Sequence, residues 1–213
     1  MDKSAEFKTL SSLGSWCACA HQLRRSGKHT IATPFDWTFT PIKAIEHLIN
    51  TNFRDFYRHE NLAPNNGGEN VIDRDSGLLI QHYFSSDSSN RITQEIIDRE
   101  YSAFREKFLR RVNRFRALMD SEGPHLHVLM TDIGWHRPLS ARSAACSLRD
   151  TTARHYPKHK FGIVWVQLEN RREPDWLERG IWNLYVPKCE RGWEGDNTGW
   201  AKILGEFTIS AKH

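Results

Sequence analysis

The sequence predicts a single α/β domain over residues 1–213, with a mainly parallel sheet flanked by helices and a helical and hairpin insertion over about residues 41–120. Three observations predict it. The runs "LHVLMTDI", "FGIVWVQL" and "IWNLYVP" are continuously apolar rather than alternating, as strands covered on both faces are. Helical patterns alternate with those strands, the signature of βαβ units. A length of 213 residues suits one domain with an excursion.

The elements follow in order. "FKTLSSLG" reads as a short strand with Phe7, Leu10 and Leu13 as core contacts. Gly14 allows a tight exit, and Ser15 is placed to cap a helix over about 16–25 that Ser26-Gly27 ends. "ATPFDWTFT" is an extended link, because Pro34 drives Thr33 away from helical angles. Pro41 opens a second helix carrying Ile42, Ile45, Leu48 and Ile49. Residues 61–70 read as an exposed loop. "NVIDRDSGLLIQHYF" reads as a hairpin turning at Asp75-Ser76-Gly77. The longest helix, about 92–120, sets Ile92, Ile96, Phe104, Phe108, Val112, Phe115 and Met119 largely on one stripe. A helix capped near Ser140, a short helix at "PDWLERG" and a closing helix at "TGWAKILGEF" complete the pattern.

Composition narrows the function classes. No run is long enough to span a bilayer, so no membrane partner is expected. "MDKSAEFKTL" lacks the apolar core of a secretory signal, so a cytoplasmic address is expected. Four cysteines, Cys17, Cys19, Cys146 and Cys189, are too scattered for a disulfide scaffold, and Cys17-x-Cys19 has the wrong spacing for zinc. No metal is therefore expected. Neither a dinucleotide fingerprint nor a Walker motif occurs, and no cofactor is expected either. The net charge of +4 suits an acidic or phosphate-bearing partner without requiring one.

The candidate chemistry gathers near the start. Cys17 falls in the first turn of a helix just beyond a strand, where unpaired N–H groups and the helix dipole favour thiolate. Packing is the plain alternative, since cysteine is among the most buried residue types. Cys19 is turned about 200° from Cys17 at 3.6 residues per turn and is expected in the core. A thiol needs a base. His21, four residues along, shares the face of Cys17, and His82 lies at the end of a strand, a rigid mount for proton transfer. Asp36 and Asp132 are placed to orient a histidine, or to serve as turn residues. Ser15, at the same corner, is an oxygen nucleophile in a second enzymatic reading. On the long helix, Arg105, Lys107, Arg110, Arg111, Arg114 and Arg116 face Glu106 alone. Arg110 and Arg114 are the candidate contacts for a polyanion, though most such runs are solvated faces.

The block "SLGSWCACAHQLRRSGKHTIATPFDW" resembles the signature of an uncharacterised family described as putative papain-like cysteine peptidases. Members open with Ser-Leu-Gly-x-x-Cys, followed by Ala, Leu and then Pro-Phe-Asp-Trp. Ser12, Leu13, Gly14, Cys17, Ala20, Leu23, Pro34, Phe35, Asp36 and Trp37 all fit. Members carry His-Asp-Phe further on, where this chain has His82-Tyr83-Phe84, so the histidine is kept and the acid lost. The closing Trp193 to Trp200 stretch is also similar. The resemblance implies Cys17 as nucleophile and His82 as base, with an acidic or amide residue completing the set, for which Asp36 is the candidate, and an α+β papain-like fold as the alternative architecture.

The leading expectation is a hydrolase or acyl-transfer enzyme using Cys17 on a peptide-like or acyl substrate, in one variant glycan-linked, with Trp37 beside the site. The competing expectations are a non-catalytic binder of an anionic partner through Arg110 and Arg114, and a glycan- or ester-directed hydrolase using Ser15.

Overall fold

The computed structural model describes residues 2–28, 30–131, 140–189 and 192–210. The chain enters through β1 (Glu6–Phe7) and β2 (Thr9–Ser12), turns into α1 (Cys17–Arg25) and returns as β3 (Thr30–Ile31). Then come β4 (Thr38–Phe39), α2 (Ile42–Asn50), β5 (Leu62–Asn65), β6 (Asn70–Asp73) and β7 (Leu78–Ile80), followed by α3 (Gln94–Asp120). The remainder is β8 (His125–Met130), α4 (Ala141–His155), β9 (Phe161–Leu168), β10 (Ile181–Val186), α5 (Asn197–Gly205) and β11 (Thr208–Ile209).

The predicted α/β class with a mainly parallel sheet is what the protein has. Five parallel strands lie in the order β10-β9-β8-β2-β3. Strands β8 and β9 are buried nearly throughout, which is why their sequences do not alternate. One face packs α1 and α5 against Leu10, Leu126, Val128, Val164 and Val166. The other packs α3 and α4 against Leu129, Ile163 and Trp165. The antiparallel β4-β7-β6-β5 sheet joins that second cluster through Leu62, Val71, Leu78 and Ile80. A short parallel pair, β1 with β11, ties the two ends of the described chain together.

Strand β2 sends its chain through α1 to β3 on one side, while β8 sends its chain through α4 to β9 on the other. The crevice between β2 and β8, at their carboxyl ends, is therefore the topological switch point at which sheets of this kind bind ligands.

Three expectations need correction. Residues 61–70 are not an exposed loop: Leu62 and Ala63 are buried and β5 pairs with β6, because this segment supplies the outer strand that shields Val71. "PDWLERG" is not a helix. Pro174 offers no N–H, Leu177 sits at φ +54°, and Asn183 and Tyr185 on β10 take up the neighbouring backbone groups instead. Ser15 does not cap α1: it has φ +62°, and the residue before the helix is Trp16, whose side chain makes no cap bond. Among the described residues no helix is long and apolar enough to cross a membrane.

Candidate functional site

The corner after β2 brings Cys17 to the switch point. Gly14 at φ +81° and Ser15 at φ +62° make two left-handed residues in succession, and α1 starts two residues later. Gly14 is required there. A Cβ would stand 3.0 Å from both Phe35 Cβ and Phe35 O, in a backbone region other residues adopt at a cost. Gly14→Ala is expected to destabilise the protein by about 1–3 kcal/mol, measurable by urea unfolding; a loss under a few tenths would show that the corner carries no strain.

Cys17 itself is 2% exposed, and burial pushes its thiol up to about 11. The expected thiolate is therefore not the resting form. The helix start contributes its N–H groups, but loss of water outweighs them. Cys19 is fully buried, as predicted, and its thiol contacts the Val128 carbonyl at 3.3 Å. Among the described residues no hydrogen bond links Cys17 to an imidazole.

Two histidines, one of them on α1, nevertheless meet at one aromatic cluster. His82 follows β7 and is exposed, with partial burial lowering its pKa. Its ring centroid lies 6.1 Å from that of Trp37 and 6.2 Å from that of Trp193. His21, one turn beyond Cys17, lies 5.4 Å from Trp193 and 6.5 Å from Trp37. The two tryptophans meet edge to face at 5.6 Å. Helix α1, the Pro-Phe-Asp-Trp segment, the end of the antiparallel sheet and the loop before α5 thus converge on one aromatic cluster. An open cleft of about 420 Å³ adjoins it, lined by His21, Cys189, Glu194, Gly195, Asp196 and Asn197.

Asp36 is tied to the α1 and α3 cations. It is 4% exposed, with Thr33 Oγ1 3.2 Å and Arg24 Nη2 3.4 Å from its carboxylate, and among the described residues no imidazole is bonded to it. Burial raises its pKa, opposed first by Arg111 and then by Arg24. Its carbonyl accepts bonds from the Tyr83 hydroxyl (3.0 Å) and from Arg111 Nη1 (3.2 Å). Tyr83 thus fastens the chain next to His82 onto the Pro-Phe-Asp-Trp segment. Asp132, the other acid considered, lies outside the described residues.

The basic helix also divides differently from expectation. Arg110 is exposed and paired with Glu106, and Arg114 is exposed beside a groove near β3. Arg111, counted above among the solvated cations, is buried and bonded to Tyr83. The sequence carried the signal for this: Phe104, Phe108, Arg111 and Phe115 recur at spacings of four, three and four, so Arg111 sits on the apolar stripe.

A second polar group went unrecognised in the sequence. On the α3 face of the sheet, Ser11 Oγ meets His127 Nδ1 at 2.6 Å, and His127 Nε2 meets His159 Nε2 at 2.9 Å. His125 bonds Thr9 and Ser121, both at 2.9 Å, and stacks on His159. Burial holds His127 well below its usual pKa and brings His159 down to about 3. No group of acidic, histidine and cysteine residues suited to a metal ion occurs among the described residues.

Comparison with known proteins places the chain in a family. The chain is 29% identical over 224 residues to an uncharacterized protein of Acanthamoeba polyphaga mimivirus, covering 91% of this chain and 95% of that one. No solved structure matches it. Residues 8–169, from β2 through the switch point to the end of β9, match the model of a family described as putative papain-like cysteine peptidase, and the chain belongs to that family.

Proposed function

We propose that this protein is a cysteine-dependent hydrolase or acyl-transfer enzyme in which Cys17 attacks a carbonyl carbon and His82 manages the proton. The observation carrying this reading is the position of Cys17. It is the first residue of α1, just after a left-handed corner at the carboxyl end of β2, and the same helix carries His21, which shares the Trp37–Trp193 aromatic cluster with His82.

The neutral thiol dictates the order of events. Sγ loses its proton to the imidazole as it bonds to the carbonyl carbon, and N–H groups in the first turn of α1 stabilise the developing oxyanion. The imidazolium then returns the proton to the leaving group, and water or another acceptor takes the acyl group from sulfur. Asp36 stands outside this relay and positions His82 through Tyr83. Seating substrate must uncover Cys17, because the resting thiol is sealed.

The test is turnover of a panel of peptide amides and acyl thioesters. Cys17→Ala is expected to abolish it, and His82→Ala to lower it about 10²–10⁴-fold. Unliganded Cys17 should react slowly with iodoacetamide at pH 7 and faster as pH climbs toward 11. Turnover that survives Cys17→Ala would overturn the proposal.

A further inference from the structure

Arg24 and Arg111 meet the Pro-Phe-Asp-Trp segment and Lys107 lies over the Tyr83 ring bonded to it, and among the described residues Asp36 is the one carboxylate paired with any of the three. Arg24 comes from the last turn of α1 and lies over the Trp37 ring at 5.1 Å. Lys107 comes from α3 and lies over the Tyr83 ring at 4.8 Å. Arg111, one turn further along α3, sits 5.2 Å from the same ring. Asp36 faces all this with one buried carboxylate, reached by Arg24 only at 3.4 Å. Among the described residues Lys107 has no ion-pair partner, whereas neighbouring Arg110 is matched by Glu106. The electrostatics agree with the geometry: partial burial, then Arg111, Arg110 and Arg24, hold the Lys107 pKa below its usual value.

Unmatched like charges drawn together cost energy unless an anion answers them. The two with accessible donors, Arg24 and Lys107, approach from opposite helices, and their aromatic supports flank His82: Trp37 touches its ring and Tyr83 follows it in the chain. We infer that Arg24 and Lys107 form a subsite for an oxyanion, a carboxylate or phosphate group carried by the substrate, with Arg111 fixing its floor. The inference rests on the proposed thiol chemistry only for the word substrate. The expected class is an acyl compound bearing negative charge close to the reacting carbonyl.

The experiment separates the two. Full-length protein carrying Cys17→Ala is titrated with inorganic phosphate and, separately, with succinate, at ionic strength held constant by sodium chloride. A saturable rise in Tm is expected with at least one of them. Binding to phosphate alone assigns a phosphoryl group, and binding to succinate alone a carboxylate. Lys107→Gln should weaken binding about tenfold, while Arg154→Gln, an exposed change on α4, should leave it intact. Lys107 is the decisive site because Arg24 also serves Asp36. Absence of a saturable rise, or an equal rise in Lys107→Gln, would overturn the subsite. With native Cys17, a chloroacetyl probe bearing a carboxylate or phosphate should label the thiol about tenfold faster than its neutral analogue. Equal measurable rates would sink the substrate assignment. Phosphate or succinate binding without any Cys17 labelling would uphold the anion site and remove the thiol reading alone.

Discussion

Acidification from pH 6.5 to 5 is expected to destabilise this protein steeply through His127 and His159. The folded state keeps both imidazoles neutral: burial lowers His127 strongly and sets His159 near 3, with His125 adding to each effect. In the unfolded chain both titrate near the ordinary value of about 6.5. Between those limits the unfolded state binds more protons, so acid favours unfolding. The stabilisation is complete above about 6.5 and is lost as pH falls toward the folded values. Each histidine contributes a slope of about 1.4 kcal/mol per pH unit inside that window. The geometry gives the same answer, because two imidazolium rings cannot keep Nε2 against Nε2 at 2.9 Å: both would donate and neither accept. Urea midpoints at pH 7.5, 6 and 5 measure the slope. His159→Gln should lower stability at pH 7.5 while flattening the slope by about one proton. A wild-type protein equally stable at pH 7 and pH 5 would contradict this account.

Arg111→Ala is expected to cost about 1–3 kcal/mol, the range for leaving buried acceptors without their donor. Arg111 is 7% exposed, donates to the Asp36 carbonyl and the Tyr83 hydroxyl, and is the largest influence opposing the raised pKa of Asp36. Its removal leaves that buried carboxyl dependent on a longer contact with half-exposed Arg24. Arg111→Met combined with Asp36→Asn should recover much of the loss, since the volume stays filled and the orphaned charge is gone. The double-mutant cycle is then expected to show coupling above about 1 kcal/mol. Strict additivity would mean that the two residues do not stabilise one another.

Much of this architecture was legible in the sequence. "FGIVWVQL" and "LHVLMTDI" announce buried parallel strands, the helix over about 92–120 lies within two residues of α3, and Gly14 marks the corner. The histidine group was half legible. Alternation along "HLHVLM" puts His125 and His127 on one face, but nothing local names His159, 32 residues on, as their partner. The pairing of Arg24 with Lys107 in the proposed oxyanion subsite was less so, because they belong to helices separated by the whole antiparallel insertion.

The sequence by itself determined the α/β class, the long crossover helix and the glycine corner that precedes α1. These are local matters, settled by side-chain periodicity and by glycine's freedom at positive φ. Only the tertiary structure decided that Cys17 rests as a sealed neutral thiol, that Asp36 serves Arg24 and Arg111, and that Arg111 bonds Tyr83. Burial and charge partnership are properties of surfaces meeting across the fold. Desolvation, which sets the pKa of Cys17 and His159 alike, arises only when distant segments close over a side chain.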